Sequence, residues 1–236
     1  MNIHRITYNP EVNSCSLYFI GCNFRCLGCY WKKIYPKFNL KELKLLNLKE
    51  VMEVLRPVSP EKVTIISGDP IKNHEFSILP KTLYEELGCE VRLMTNGYIL
   101  PSLEGLKHVL LSIKALSDDL HKRYTGKSNA TSLKNFRFLY ENGVEVSLSS
   151  VLIPDLIEAE EIKKIAQFIG SIDMDIPYRI IGYMPIDGLP YRSPAYEELK
   201  EAAGSINGSL NNVVFSDPKE QDYKGIINLF TNNLRR

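Results

Sequence analysis

The sequence predicts an α/β fold built on a parallel sheet, and three observations carry that prediction. Short apolar, β-branched runs alternate with helical patterns along most of the 236 residues. Several helical patterns stop at a glycine, the usual residue just past a helix end. No linker or low-complexity stretch divides the chain, so residues 1–236 read as one domain.

The first strand is "SCSLYFI" (14–20), which runs straight into "GCNFRCLGCY" (21–30). Helical spacing in "LKEVMEVLR" (48–56) leads to the strand "KVTIIS" (62–67). "PKTLYEELG" (80–88) has helical spacing and ends at Gly88 before the strand "EVRLMT" (90–95). Residues 98–107 leave room for one more short helix ahead of the strand "HVLLSI" (108–113). "TSLKNFRFLYENG" (131–143) ends at Gly143, followed by the strand "EVSLSSVLI" (145–153). "AEEIKKIAQFIG" (159–170) ends at Gly170 and precedes the strand "YRIIGY" (178–183). A last helix fits "PAYEELKEAAGSI" (194–206), and the polar stretch from about residue 207 is expected to wrap or fray. Six strands alternating with helices make an open doubly wound sheet or a partial barrel, and both place function at the C-terminal ends of the strands.

Composition narrows the classes. Apolar residues make up 44% and charged residues 24%, enough for a sizeable core. A net charge of +1 gives no global argument for binding nucleic acid or a membrane. One local excess stands out: Lys32, Lys33, Lys37, Lys41 and Lys44 face only Glu42. Such a run is either a solvated face or a docking patch for an acidic partner. The first fourteen residues lack the apolar core of a signal peptide, and no stretch approaches the roughly 18 apolar residues of a spanning helix. Five cysteines, clustered and odd in number, argue for metal or redox use in a reducing compartment, hence a cytoplasmic protein.

Polar or glycine-containing turns recur where the strands end. They are the cysteine loop, "SGDP" (67–70), "TNG" (95–97), "SIKA" (112–115), "IPD" (153–155) and "GYMP" (182–185). Singly, each is an ordinary turn, and Lys114 alone is an ordinary surface lysine. Together they ring one end of the sheet around Cys22, Cys26 and Cys29. Thiolates select zinc or iron–sulfur clusters. A zinc site needs a fourth ligand, with Cys15, Cys89 or one of the four histidines available, although both cysteines sit in strands as buried small residues. Three ligands with an open fourth position suit a 4Fe-4S cluster that binds a ligand at one iron.

Cys22-x3-Cys26-x2-Cys29 after the first strand resembles the signature of the radical S-adenosylmethionine (SAM) enzymes. The resemblance implies a partial (β/α)6 TIM-like barrel, a 4Fe-4S cluster held by the three cysteines, and bound S-adenosyl-L-methionine. It also implies reductive cleavage of that molecule to a 5′-deoxyadenosyl radical, which abstracts hydrogen from a substrate. Over residues 15–190 the chain is similar to the pyruvate formate-lyase activating enzyme group, through "TNGY" (95–98), "SIKAL" (112–116) and above all "HKRYTGKSN" (121–129). By that resemblance Ser67, Gly68, Asp69 and Pro70 line the methionyl end. Asn96, Ser112 and Lys114 lie near the ribose or carboxylate, and Tyr183 and Met184 flank the adenine or the substrate. His121 reads as a helix-start histidine outside the barrel mouth. An electron donor such as flavodoxin or ferredoxin is expected, with a protein as substrate.

The sequence also departs from that group. Gly28 stands where an aromatic residue usually touches the adenine, leaving Tyr30 or Phe24 to compensate. Ser112 replaces an acidic residue, Met94 a cation-binding aspartate, and Ser149 an arginine; Met184 lies near a family histidine. The leading expectation is therefore an activase that makes a glycyl radical on another protein. A second is radical chemistry on a small molecule, nucleotide or peptide side chain. A third is a zinc- or cluster-stabilised binding module without turnover.

Overall fold

A computed structural model of the chain describes residues 1–31, 42–66, 68, 74–217 and 225–232. Nine strands form one sheet in the order β8-β7-β6-β5-β4-β3-β2-β1-β9. β1 (Ile3–Asn9) and β2 (Ser14–Phe19) make an antiparallel hairpin, closed by a short 3-10 turn at Pro10–Val12. From β2 onward every neighbour is parallel: β3 (Lys62–Ile66), β4 (Glu90–Thr95), β5 (Leu106–Ser112), β6 (Glu145–Leu152), β7 (Tyr178–Gly182) and β8 (Val213–Ser216). β9 (Ile227–Thr231) returns to the far edge and pairs antiparallel with β1. The six expected strands are all present within about two residues of their expected ends.

The helices are α1 (Leu48–Leu55), α2 (His74–Leu87), α3 (Asp118–Thr125), α4 (Ala130–Glu141), α5 (Ala159–Gly170) and α6 (Tyr196–Gly204). Alternation along the strands sends Val63, Ile65, Val91, Leu93, Val109, Leu111, Leu148 and Ile180 to the helix-covered face, where each is 1% exposed or less. Phe76, Leu79 and Leu83 of α2, Phe136 and Leu139 of α4, and Ile162, Ile165 and Ile169 of α5 meet them from the other side. The opposite face carries Arg92, Met94, Leu110, Ser112, Ser149 and Arg179, set in rows by the parallel register.

Three expectations are corrected. Residues 98–107 hold no helix: the turn is tied to α4 by Asn135 Nδ2, which donates to the Gly97 carbonyl at 2.7 Å, and β5 begins at Leu106. α2 starts at His74, not at Pro80; the proline lies inside the helix and is buried. Gly170 is the last residue of α5, not a residue beyond it. A Cβ there would meet the Ser209 carbonyl oxygen at 2.2 Å, so it is contact with the next segment that requires the glycine. Of the two courses expected after residue 207, the described residues wrap: they supply β8 and β9, the two edges of the sheet. Gly88 and Gly143 follow their helices with positive φ as expected.

Candidate functional site

β2 ends at Phe19 and the chain turns at Gly21 into the cysteine loop. Because β2 to β8 are parallel, the turns after β3, β4, β5 and β7 emerge on the same edge as that loop. The turn after β3 touches it directly. Gly68 has φ +59°, and a Cβ there would lie 2.1 Å from the Gly21 carbonyl oxygen, so only glycine permits this backbone approach. Ser67, Asp69 and Pro70, the rest of the expected methionyl turn, lie outside the described residues, as do Lys32, Lys33, Lys37 and Lys41 of the basic run. Lys44 is described, and it pairs with Glu50 at 3.2 Å.

None of the three loop cysteines forms a disulfide: Cys22 is exposed, Cys29 half-buried and Cys26 buried. Two N–H groups point at Cys22 Sγ, the Phe24 amide at 3.4 Å and Asn96 Nδ2 at 3.7 Å. Donors of this kind favour the anionic thiolate, the form that binds metal. Asn96 Nδ2 also donates to Asn23 Oδ1 at 2.8 Å, while its own Oδ1 accepts from the Tyr98 amide at 2.9 Å. Asn96, 4% exposed, thus joins the end of β4 to the first cysteine. The other two cysteines differ in kind. Cys15 and Cys89 are buried, and burial pushes their thiols up to about 12 and about 11. They behave as small core residues, Cys15 within β2 and Cys89 just before β4.

At the end of β5, Lys114 Nζ donates to Ser112 Oγ at 2.7 Å. Ser112 is in register with Ser149, and Ser149 with Arg179, so two serines and an arginine form one row across the open face. Met94 lies on the same face, one register step below, with Leu110. Beyond β7, Tyr183 is 2% exposed and Met184 half-buried. Tyr183 stands where a side chain at position 28 would be: a Cβ on Gly28 would lie 2.9 Å from its Cε2. Its ring also meets Tyr191 edge-on, with centroids 6.3 Å apart. Tyr30 is exposed and Phe24 is buried in the loop, so neither occupies that space.

Two residues pack beneath the loop. His121 lies in the first turn of α3, is 1% exposed and meets the Phe24 ring edge-on at 5.4 Å, a structural place as its helix-start position implies. Burial lowers its pKa. Tyr124, three residues on, is pushed well above the ordinary tyrosine range by burial, with Cys26 and Cys29 adding to the push. The spacing of the two along "HKRYT" is the signal that places both on one side of a helix.

A parallel sheet whose first strand feeds a loop of three cysteines outside any disulfide, with the later strand ends on the same edge, is the framework of a partial α/β barrel. The family description of the Radical SAM superfamily matches residues 17–169. The chain belongs to that superfamily and is an enzyme of it. A Methanocaldococcus jannaschii protein provisionally described as a glycyl-radical enzyme activating enzyme is 32% identical over 90% of this chain and 83% of its own length. The pyruvate formate-lyase-activating enzyme of Clostridium pasteurianum is 33% identical over 66% of this chain and 69% of its own. The fold is similar to that of SuiB from Streptococcus suis bound to S-adenosylmethionine, with a TM-score of 0.65 and 17% identity over 84% of this chain. This chain spans about half (48%) of the SuiB chain. Among the described residues no helix is long and apolar enough to cross a membrane.

Proposed function

We propose that the protein is an activase: it uses S-adenosyl-L-methionine and a 4Fe-4S cluster to abstract hydrogen from a backbone glycine of a partner protein. The observation that carries the cluster assignment is the loop of three cysteines, none in a disulfide, whose first sulfur receives two N–H donors. That donor set fits a cluster with three protein ligands and one open iron. Cys22, Cys26 and Cys29 are its ligands in this reading. When bound, the cluster and S-adenosyl-L-methionine supply a one-electron cleavage that yields a carbon radical.

The chain's own residues have the remaining tasks. Asn96 and the Phe24 amide hold the Cys22 sulfur in its anionic form. Lys114, steadied by Ser112, presents a cation to the carboxylate of S-adenosyl-L-methionine, and the Gly68 turn approaches its methionyl amine. Tyr183 covers Gly28 and keeps water from the cysteine loop, with Met184 beside it. The substrate assignment is supported by the relatives, whose descriptions name activating enzymes. A flavodoxin or ferredoxin is the electron donor in this reading.

The remodelled row Ser112–Ser149–Arg179 favours a second reading, the same chemistry on a small molecule or peptide side chain. One anaerobic experiment separates the readings. Reconstituted protein is given S-adenosyl-L-methionine and dithionite, then iron, sulfide and 5′-deoxyadenosine are measured with and without a candidate glycyl-radical enzyme. The activase reading requires 5′-deoxyadenosine plus a persistent organic radical on the partner. Cleavage without that radical moves the substrate to the second reading. A colourless zinc protein without sulfide overturns both.

A further inference from the structure

The stretch "HKRYTGKSN" has no catalytic side chain in the reading above, yet it is the most heavily bonded turn near the cysteine loop. Two loop amides donate to the last carbonyls of α3: Arg25 N to Thr125 O at 2.8 Å, and Leu27 N to Tyr124 O at 2.9 Å. Carbonyls at a helix C-terminus lack partners within the helix, and here the cysteine loop supplies them. These two amides bracket Cys26. Phe24, two residues before it, is held between the rings of Tyr98 and His121, at 5.5 and 5.4 Å.

The turn itself is fixed from every side. His121 Nδ1 donates to the Lys127 carbonyl at 2.6 Å, and Thr125 Oγ1 donates to the His121 carbonyl at 2.8 Å. Asp118 accepts from Ser128 Oγ at 2.7 Å and from the Asn129 amide at 3.0 Å. Asn129 Nδ2 donates to the Leu116 carbonyl at 2.5 Å. Glu161 of α5 accepts from the Leu116 and Ser117 amides at 2.7 and 2.6 Å, which secures the start of α3. Gly126 ends α3 with φ +80°, and this left-handed residue turns the chain back toward Lys127.

We propose that residues 117–129 are a rigid seat for the cysteine loop: the C-terminal carbonyls of α3 set the spacing of the thiols before any cluster arrives, and Gly126 is the positioning residue that sets those carbonyls. The inference rests on the cluster assignment above. Its function is to hold Cys26 at fixed depth while Cys22, on the strand side, is held separately through Asn96. A loop seated in this way binds its cluster without first being ordered, and a shifted seat weakens retention while leaving the ligands themselves intact.

Gly143 offers a matched control. It follows α4 with φ +73° and has nothing within 4 Å of a would-be Cβ; its loop makes no contact with the cysteines. Gly126→Ala, Gly126→Asn and Gly143→Ala are compared with the wild type after reconstitution, by iron loss to a chelator and by the electron paramagnetic resonance spectrum of the reduced cluster. Alanine is strained at positive φ, whereas asparagine tolerates it. The seat predicts that Gly126→Ala releases iron about 10-fold faster with an altered spectrum. It also predicts that Gly126→Asn stays near wild type and that Gly143→Ala matches wild type despite a similar fall in thermal stability. Equal release from the two alanine variants overturns the seat while leaving the cluster assignment standing. A wild type that takes up no iron and sulfide overturns both.

Discussion

Lys114 Nζ rests on a hydroxyl instead of a carboxylate, and among the described residues it makes no ion pair. Its charge is therefore available to an anionic ligand at the strand end. Lys114→Ala is expected to weaken S-adenosyl-L-methionine binding about 10-fold, the value of one charge-assisted hydrogen bond, with iron and sulfide content unchanged. Titration calorimetry on the reconstituted protein reads this directly. His4 behaves differently. Burial, with the Arg5 charge second, lowers its pKa to about 4. Between pH 6.5 and that value the unfolded chain binds a proton that the folded chain refuses, so stability is full above the window and falls as pH drops through it. The contribution is at most about 3 kcal/mol. Urea midpoints at pH 7.5 and pH 5 are expected to converge in His4→Gln, although His108 and His121, shifted the same way by burial, leave some slope. Residue by residue, the sequence made the cysteines legible because their spacing is their chemistry. It marked Asn96 as a site residue but not as a neighbour of Cys22, because the contact joins residues 74 apart and no local pattern encodes it.

At the scale of single elements, the instructive cases are those where a neighbour outranked a local preference. Gly170 and Gly88 both looked like helix stops. Gly88 is one, with φ +65° and open space around it, while Gly170 is helical and is pressed by the Ser209 carbonyl. Alanine at Gly88 is expected to cost about 1 kcal/mol through backbone strain. Alanine at Gly170 is expected to cost about 2–3 kcal/mol, since a backbone carbonyl must move to admit it. Denaturant unfolding of the two variants checks the order. Pro80 is a second such case. The periodic pattern reads from Pro80 onward, but Phe76 and Leu79 have a core to fill and the helix runs from His74 through the proline. The short helix expected within 98–107 gave way to a turn bonded to Asn135, a partner that local periodicity does not reveal.

Across the whole molecule, the parallel strands were legible because each sets apolar, often β-branched residues at every second position, where the helices bury them. The edges were not. β1 interleaves His4 and Arg5 with its apolar residues, and β8 and β9 are short and half-exposed, so none carries the pattern of a central strand. What defines them is the neighbour: Arg5 pairs with Thr231 and Tyr8 with Ile227, and Asn232 bonds both His4 and Lys44. Deletion of residues 225–232 is expected to lower the apparent melting temperature and to drive self-association, measurable by light scattering, because the edge of β1 loses its cover. That same pairing has a consequence during biosynthesis. The ribosome delivers β9 more than two hundred residues after β1, so the hairpin that leads into the cysteine loop emerges with one flank bare. For that interval, at roughly 5–20 residues per second, the nascent chain carries an open strand edge for about ten seconds or more. Holdases that shield such edges would be engaged early, and the cysteine loop would gain its full support only when β9 closes over β1.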